Sequence, residues 1–314
     1  MRRCRVRAAV ADDYGAPDVL EVREVDDPKV GPDYALVRVH AASINPVDYK
    51  IVEGGLDAAF PVIWPLITGW DVAGEVVGVG PAVRHVEPGQ AVFGYARKDF
   101  VGAGTWAEQV AVPARGIAPA PRQLDAVAAS CLPLAGMTAW QALVEDLEVG
   151  RGDTVLIHAA TGGVGHLATQ IALARGARVV GTCREANHDV LRELGGEPVT
   201  YGEGLADRVR EVAPDGVDAV ADFSPQGSLA ASDPVLRSPG RVVSVRDPQA
   251  AYERGGTYVF VRPDVDHLRS LAELADAGRL APRVQSVHEL ADVRAAVAEA
   301  SEGTVRGKVV LRVE

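Results

Sequence analysis

The chain has 314 residues and a mass of 33.0 kDa, too long for one small module and suited to about two domains. Hydrophobic residues make up 47% and charged residues 24%, ordinary values for a protein that fills a real core. Lys plus Arg number 32 against 43 Asp plus Glu, a formal charge of −11 with no long basic block, which argues against a nucleic-acid partner.

Cys4, Cys131 and Cys183 lie far apart, which excludes a disulfide framework or a multi-cysteine zinc loop and suits a reducing compartment. The most lipid-like stretch, Ala126 to Trp140, is too short to cross a bilayer and contains Pro133. Arg2, Arg3, Arg5 and Arg7 precede only a brief apolar run before Asp12 and Asp13, unlike a secretory leader. The expectation is a cytoplasmic protein with no membrane partner.

From the amino terminus to about Leu124, short valine-bearing runs alternate with Gly and Pro. Tyr34–His40, Gly74–Val79 and Gln90–Phe93 are separated by Gly31-Pro32, Gly80-Pro81 and Pro88-Gly89. This texture predicts an antiparallel or barrel-like β domain. From Asp125 strands alternate with helices. Thr154–Ala159 reads as a buried strand and His166–Arg175 as a helix stopped by Gly176. Arg178–Thr182 is the next strand, and a helix through Leu191 and Leu194 ends at Gly195-Gly196. Val217–Asp222 and Arg241–Val245 continue the alternation. Repeated βα units of this length predict a doubly wound parallel sheet. The remaining stretch carries an amphipathic helix, Val265–Ala277, a β-like run at Arg283–Val287, a helix near Leu290–Ala300 and a strand Lys308–Val313. Periodicity alone leaves open whether these extend the parallel sheet or rejoin the first domain.

Thr161-Gly162-Gly163-Val164-Gly165 joins the first strand of the βα region to its helix. Glycines there permit a tight turn, close approach of N–H groups to a pyrophosphate, and close helix–sheet packing. Read from Ala160 the spacing is AxGxxG, with alanine replacing the first glycine; a tight turn without a ligand is the plain alternative. A dinucleotide is favoured. An NAD site wants an acid about 20 residues on, but the end of the second strand carries Thr182, Cys183 and Arg184. Arg184 would attract a 2′-phosphate, so NADPH is the expected cofactor, with Glu185 as the opposing sign. His188 is the other cation-capable side chain near that strand end, though a plain surface histidine is the simpler reading.

Five segments together resemble the zinc-independent quinone oxidoreductases and enone reductases of the medium-chain dehydrogenase/reductase superfamily. They are SINPVDYKIVEGG (Ser43–Gly55), ITGWDVAGEVVGVG (Ile67–Gly80), LPLAGMTAWQAL (Leu132–Leu143), HAATGGVGHLATQIA (His158–Ala172) and GKVVLRV (Gly307–Val313), in the family's order. The resemblance implies an α/β fold with a GroES-like β-barrel-type catalytic domain over residues 1–124. It implies a Rossmann NADPH-binding domain over 125–262 and a return segment over 263–314 that completes the catalytic domain. It also implies a homodimer.

Relatives with catalytic zinc hold it at positions that fall near Asn45, Trp70-Asp71 and Leu132, none of which is Cys or His here. Zinc wants three N, S or O ligands from protein, so a zinc-free site is expected. Conjugated acceptors suit such a site, because hydride addition to an enone or quinone leaves a delocalised oxyanion that a few donors can hold. By resemblance, Asn45 positions cofactor or substrate, although an Asx-turn before Pro46 would explain it equally. Lys50, where many quinone reductases have Tyr, would donate to the acceptor oxygen or the nicotinamide ribose. Tyr49 would protonate the carbanion, Asp48 orients the loop, and Trp70 lines the substrate pocket. For the cofactor the resemblance carries over Thr138, Gly162, Gly163, Val164, Thr182, Cys183, Arg184 and Tyr201. Phe223, Ser224, Val245, Phe260 and Val261 are the candidates nearer the nicotinamide. Gln226-Gly227 departs from the family's Gly-Gly. The expected activity is NADPH-dependent reduction of quinones or α,β-unsaturated carbonyl compounds. The alternatives are a reductase dedicated to one biosynthetic enone or polyketide intermediate, and a non-catalytic NADPH-binding structural or sensor protein.

Overall fold

The computed structural model describes residues 5–224, 228–237 and 241–313. It divides into two compact units, Met1–Leu134 with Pro263–Glu314, and Ala135–Arg262. The Gln226-Gly227 departure and Cys4 lie outside the described residues.

The first unit is built on a seven-stranded sheet. Its strands run in the order Val284–Glu289, Lys308–Arg312, Tyr34–Ser43, Asp71–Val79, Ala91–Tyr95 and Ile117–Pro119, and Gln109–Pro113 also pairs with Tyr34–Ser43. Apart from the parallel pair Val284–Glu289 and Lys308–Arg312, the pairings are antiparallel. The alternating valines of Tyr34–Ser43 turn one set inward, with Val37 and Val39 buried. At Gly74 the two central strands come so close that a Cβ would stand 1.9 Å from the Arg38 carbonyl oxygen, so only glycine fits. A separate antiparallel pair, Arg5–Val10 and Glu21–Asp26, completes the β structure of this unit. The amphipathic stretch read from Val265 forms a helix, Val265–Asp276, capped by the Asp264 carboxylate on the N–H groups of Asp266 and His267.

The second unit is a six-stranded parallel sheet in the order Glu197–Thr200, Arg178–Cys183, Thr154–His158, Ala219–Asp222, Val242–Ser244 and Thr257–Tyr258. In sequence rank this is 3-2-1-4-5-6, the doubly wound Rossmann order. Every residue of Thr154–His158 is buried, as expected for a strand covered on both faces. Leu156, Val180, Val199, Leu205, Val209 and Val220 belong to one apolar core cluster. The helix Gly165–Ala174 follows the glycine loop directly.

Candidate functional site

In the first unit the strand Tyr34–Ser43 is antiparallel to both Asp71–Val79 and Lys308–Arg312. The end of one strand therefore lies beside the beginnings of two others, and Ser43, Asp71 and Lys308 meet there. Asn45 follows in extended conformation (φ −121°) and caps the helix Pro46–Val52, whose first residue is a proline. Asp48 accepts the Asn45 backbone N–H at 2.8 Å, closing the turn.

The buried carboxylate of Asp71 organises this corner. It accepts from Ser43 Oγ at 2.7 Å, Asn45 Nδ2 at 2.8 Å and the Leu134 backbone N–H at 2.7 Å. Lys308 Nζ stands 3.6 Å from the same carboxylate and donates to Asn45 Oδ1, although its side chain is only 3% exposed. Asn45 is thus buried with both ends of its amide engaged inside the network. Burial pushes the Asp48 carboxyl up to about 7; the Asn45 N–H opposes that shift, the charge of Asp71 adds to it and Lys308 opposes it. Asp48 Oδ1 has no hydrogen-bond partner among the described residues, which suits a carboxyl that is partly protonated near neutrality.

Zinc does not fit this corner. Asn45 and Asp71 are already bonded to one another, Leu132 is apolar, and the Lys308 ammonium places a fixed positive charge beside the only carboxylate of the set. No group of three or more His, Cys, Asp or Glu gathers elsewhere among the described residues.

Tyr49 and Lys50 sit on the helix Pro46–Val52, both half-buried. Trp70 is 5% exposed and packs edge-on against Phe60 and Tyr95, at ring-centroid distances of 6.3 and 5.8 Å. Helix and indole border one small cavity through Ile51 and Trp70.

In the second unit the chain leaves the strand Thr154–His158 through Ala159, which adopts the left-handed conformation at φ 55°. A Cβ on Gly165 would lie 2.1 Å from the Ala159 carbonyl oxygen, so the helix start is pressed onto the strand end. Gly162 differs: a Cβ there would meet only the Ala159 carbonyl oxygen, at 3.3 Å. The N–H groups of Gly163 and Val164 have no acceptor among the described residues. Open space over Gly162 and unspent donors at a helix start make a cradle that fits a pyrophosphate.

Thr182 and Cys183 end the neighbouring strand, both buried. The Thr182 hydroxyl accepts the Ala159 N–H at 3.1 Å and lies 3.2 Å from His158 Nδ1, so it ties two strands together. Burial raises the Cys183 thiol to about 11, far from thiolate chemistry. Arg184 and Glu185 are both exposed at that strand end. His188 engages Thr200 Oγ1 at 3.3 Å. Tyr201 is 52% exposed.

At the carboxyl ends of the next two strands, Asp222 collects Ser224 Oγ at 2.6 Å and Ser244 Oγ at 3.2 Å, and burial raises its carboxyl. Phe223 and Val245 flank this cluster, both half-buried. Phe260 is 52% exposed, Val261 is half-buried and Thr138 is buried. Sequence reasoning missed the network partners Ser43, Asp71 and Lys308 and the buried pair His158–Ser232, bonded at 2.6 Å. No local signal marks Lys308 as buried, since its strand Lys308–Arg312 carries a basic residue at each end.

The alcohol dehydrogenase GroES-like domain family matches residues 31–122, and the zinc-binding dehydrogenase family matches residues 194–311. Among curated proteins, the NADPH-dependent alkenal/one oxidoreductase, chloroplastic, of Arabidopsis thaliana is 32% identical over 288 residues, spanning 89% of this chain and 72% of that one. Among solved structures, an alcohol dehydrogenase superfamily protein from Novosphingobium aromaticivorans is 35% identical with a TM-score of 0.87, covering 98% of this chain and 100% of that one. The quinone oxidoreductase from Coxiella burnetii is 30% identical with a TM-score of 0.85, covering 99% and 100%.

Proposed function

Because the chain belongs to the medium-chain dehydrogenase/reductase superfamily, in its quinone oxidoreductase-like branch, we propose that it is an NADPH-dependent, zinc-free reductase of quinones or α,β-unsaturated carbonyl compounds. The observation that carries this reading is the Asn45–Asp71–Lys308 network, which occupies the corner where zinc-dependent relatives need metal ligands. Without a metal to polarise a simple carbonyl, acceptors whose reduction leaves a delocalised oxyanion are favoured, because single donors of about 2.7–4 kcal/mol each suffice for them.

NADPH supplies hydride when bound. The loop Thr161–Gly165 would hold its pyrophosphate on backbone N–H groups, and exposed Arg184 would pair with the 2′-phosphate. Phe223, Ser224, Val245, Phe260 and Val261 form the nicotinamide end of that surface, while Thr182 and Cys183 support it from within the sheet. Lys50 donates to the acceptor oxygen and Tyr49 returns a proton to carbon. Trp70 gives the acceptor an apolar wall. Asn45 is a positioning residue: its amide, locked by Asp71 and Lys308, sets where the helix bearing Tyr49 and Lys50 begins. The assembly expected of this branch is a homodimer, which light scattering in solution tests.

The decisive experiment follows NADPH absorbance, with NADH in parallel, against one simple quinone and one simple enone. Oxidation of NADPH much faster than NADH supports the reading, and the acceptor consumed selects the branch. Tight NADPH binding with neither acceptor consumed overturns it in favour of a dedicated substrate or a sensor.

A further inference from the structure

Lys98, in the first unit, is 5% exposed and has no carboxylate partner among the described residues. Its ammonium donates to the Ala103 carbonyl oxygen at 2.5 Å. An ammonium carries three hydrogens and accepts nothing, so a single carbonyl leaves most of its donor capacity unmet. Burial lowers its pKa to about 8, which still leaves it a cation at neutral pH. An uncompensated buried cation is costly, and an anion arriving beside it recovers that cost.

Lys98 borders two spaces. One is the cavity behind Trp70, about 10 Å³, enough for a single water. The other is a groove of about 700 Å³ walled by Val25, Ile63, Trp64, Ile67 and Val110. Ile63 and Trp64 are 49% and 41% exposed, unusual for such large apolar side chains. The rim arginines are already matched, Arg5 with Glu24 and Arg23 with Asp12 and Glu21. The groove therefore pairs an apolar wall with a buried cation that lacks a counter-ion, and its size suits a small molecule.

We propose that this groove binds a small amphiphilic carboxylate, its hydrocarbon chain along Val25, Ile63 and Trp64 and its carboxylate on the Lys98 ammonium. This assignment goes beyond the reductase reading and does not depend on it.

Titration calorimetry of the full-length protein with octanoate and with 1-octanol tests it, without cofactor. Octanoate is expected to bind about tenfold more tightly than the alcohol. K98M is expected to erase that preference and K98R to keep it. The proposal is overturned if neither ligand binds, if both bind equally, or if K98M keeps the preference. Should K98M fail to fold, K98Q, which also removes the charge, takes its place, and a preference kept by K98Q overturns the proposal as well.

Discussion

Replacing Lys308 by Met removes the only cation of the Asn45–Asp71 corner while keeping a side chain of similar length. Asp71 and Asp48 are both fully buried, and Lys308 stands 3.6 Å from Asp71. Breaking a buried pair by deleting one partner costs about 3–5 kcal/mol, because the remaining charge stays out of water. Here Asp71 retains three donors, from Ser43, Asn45 and Leu134, which places the expected loss near the lower end, about 3 kcal/mol. At about 2–4 °C per kcal/mol for a unit of this size, Tm should fall by about 6–12 °C. Urea unfolding at pH 7.5 followed by tryptophan emission measures the free-energy loss, since Trp64, Trp70 and Trp106, three of the four tryptophans, lie in the first unit. The double variant K308M/D71N leaves no unpaired Asp71 charge and should be at least about 1.5 kcal/mol more stable than additivity of the singles allows. A K308M protein within 1 kcal/mol of wild type by order of magnitude, or strictly additive singles, would falsify the view that this network is electrostatically coupled.

Four further outcomes are expected. Asp48 has its carboxyl raised to about 7, so the folded protein holds a proton that the unfolded chain releases near pH 4. Stability from this group is full at low pH and declines as pH rises from about 4 to about 7, and D48N should flatten that decline in a pH series of urea melts. His158 has the opposite sign: burial lowers it to about 4, so its contribution is intact above about 6.5 and is lost as pH falls toward 4. H158Q should remove that acid-side loss. R184A should raise the KM for NADPH about tenfold and leave that for NADH nearly unchanged; an equal effect on both would remove Arg184 from the 2′-phosphate. Gly165→Ala puts a methyl 2.1 Å from the Ala159 carbonyl oxygen and should cost about 1–3 kcal/mol, with weaker nucleotide binding seen by calorimetry.

Legibility in the sequence followed the reach of each interaction. The buried strand Thr154–His158 and the helix Gly165–Ala174 announce themselves by local periodicity, and their expected bounds hold to within a residue or two. The short helices Pro46–Val52 and Leu205–Val212 were not foreseen: one to two turns carry little periodic signal, and the first owes its start to a cap closed by Asp48. The run Ala126–Trp140 is mostly apolar yet forms two helices, Ala126–Ser130 and Pro133–Trp140, the second opened by its proline. The side-chain network was the least visible feature. Ser43, Asp71 and Lys308 come from three strands far apart in sequence, and nothing local marks a strand lysine as buried. Thr182, carried over by resemblance as a cofactor-binding residue, also accepts the Ala159 N–H just past the neighbouring strand, a contact that no local pattern announces.

The order in which the chain is made gives the Lys308 corner a second meaning. The unit Ala135–Arg262 is continuous, and its ends are clasped by Gln141, whose amide donates to the Arg262 carbonyl at 2.9 Å and accepts the Arg262 N–H at 3.1 Å. A unit made from one uninterrupted stretch needs no later segment to complete its sheet. The other unit is interrupted: Tyr34–Ser43 is synthesised early but waits for Lys308–Arg312 to pair along it. Until then Asp71 and Asn45 lack the ammonium that joins them. A chain cut before Lys308 therefore lacks the locked Asn45 amide however well its parallel-sheet unit has folded.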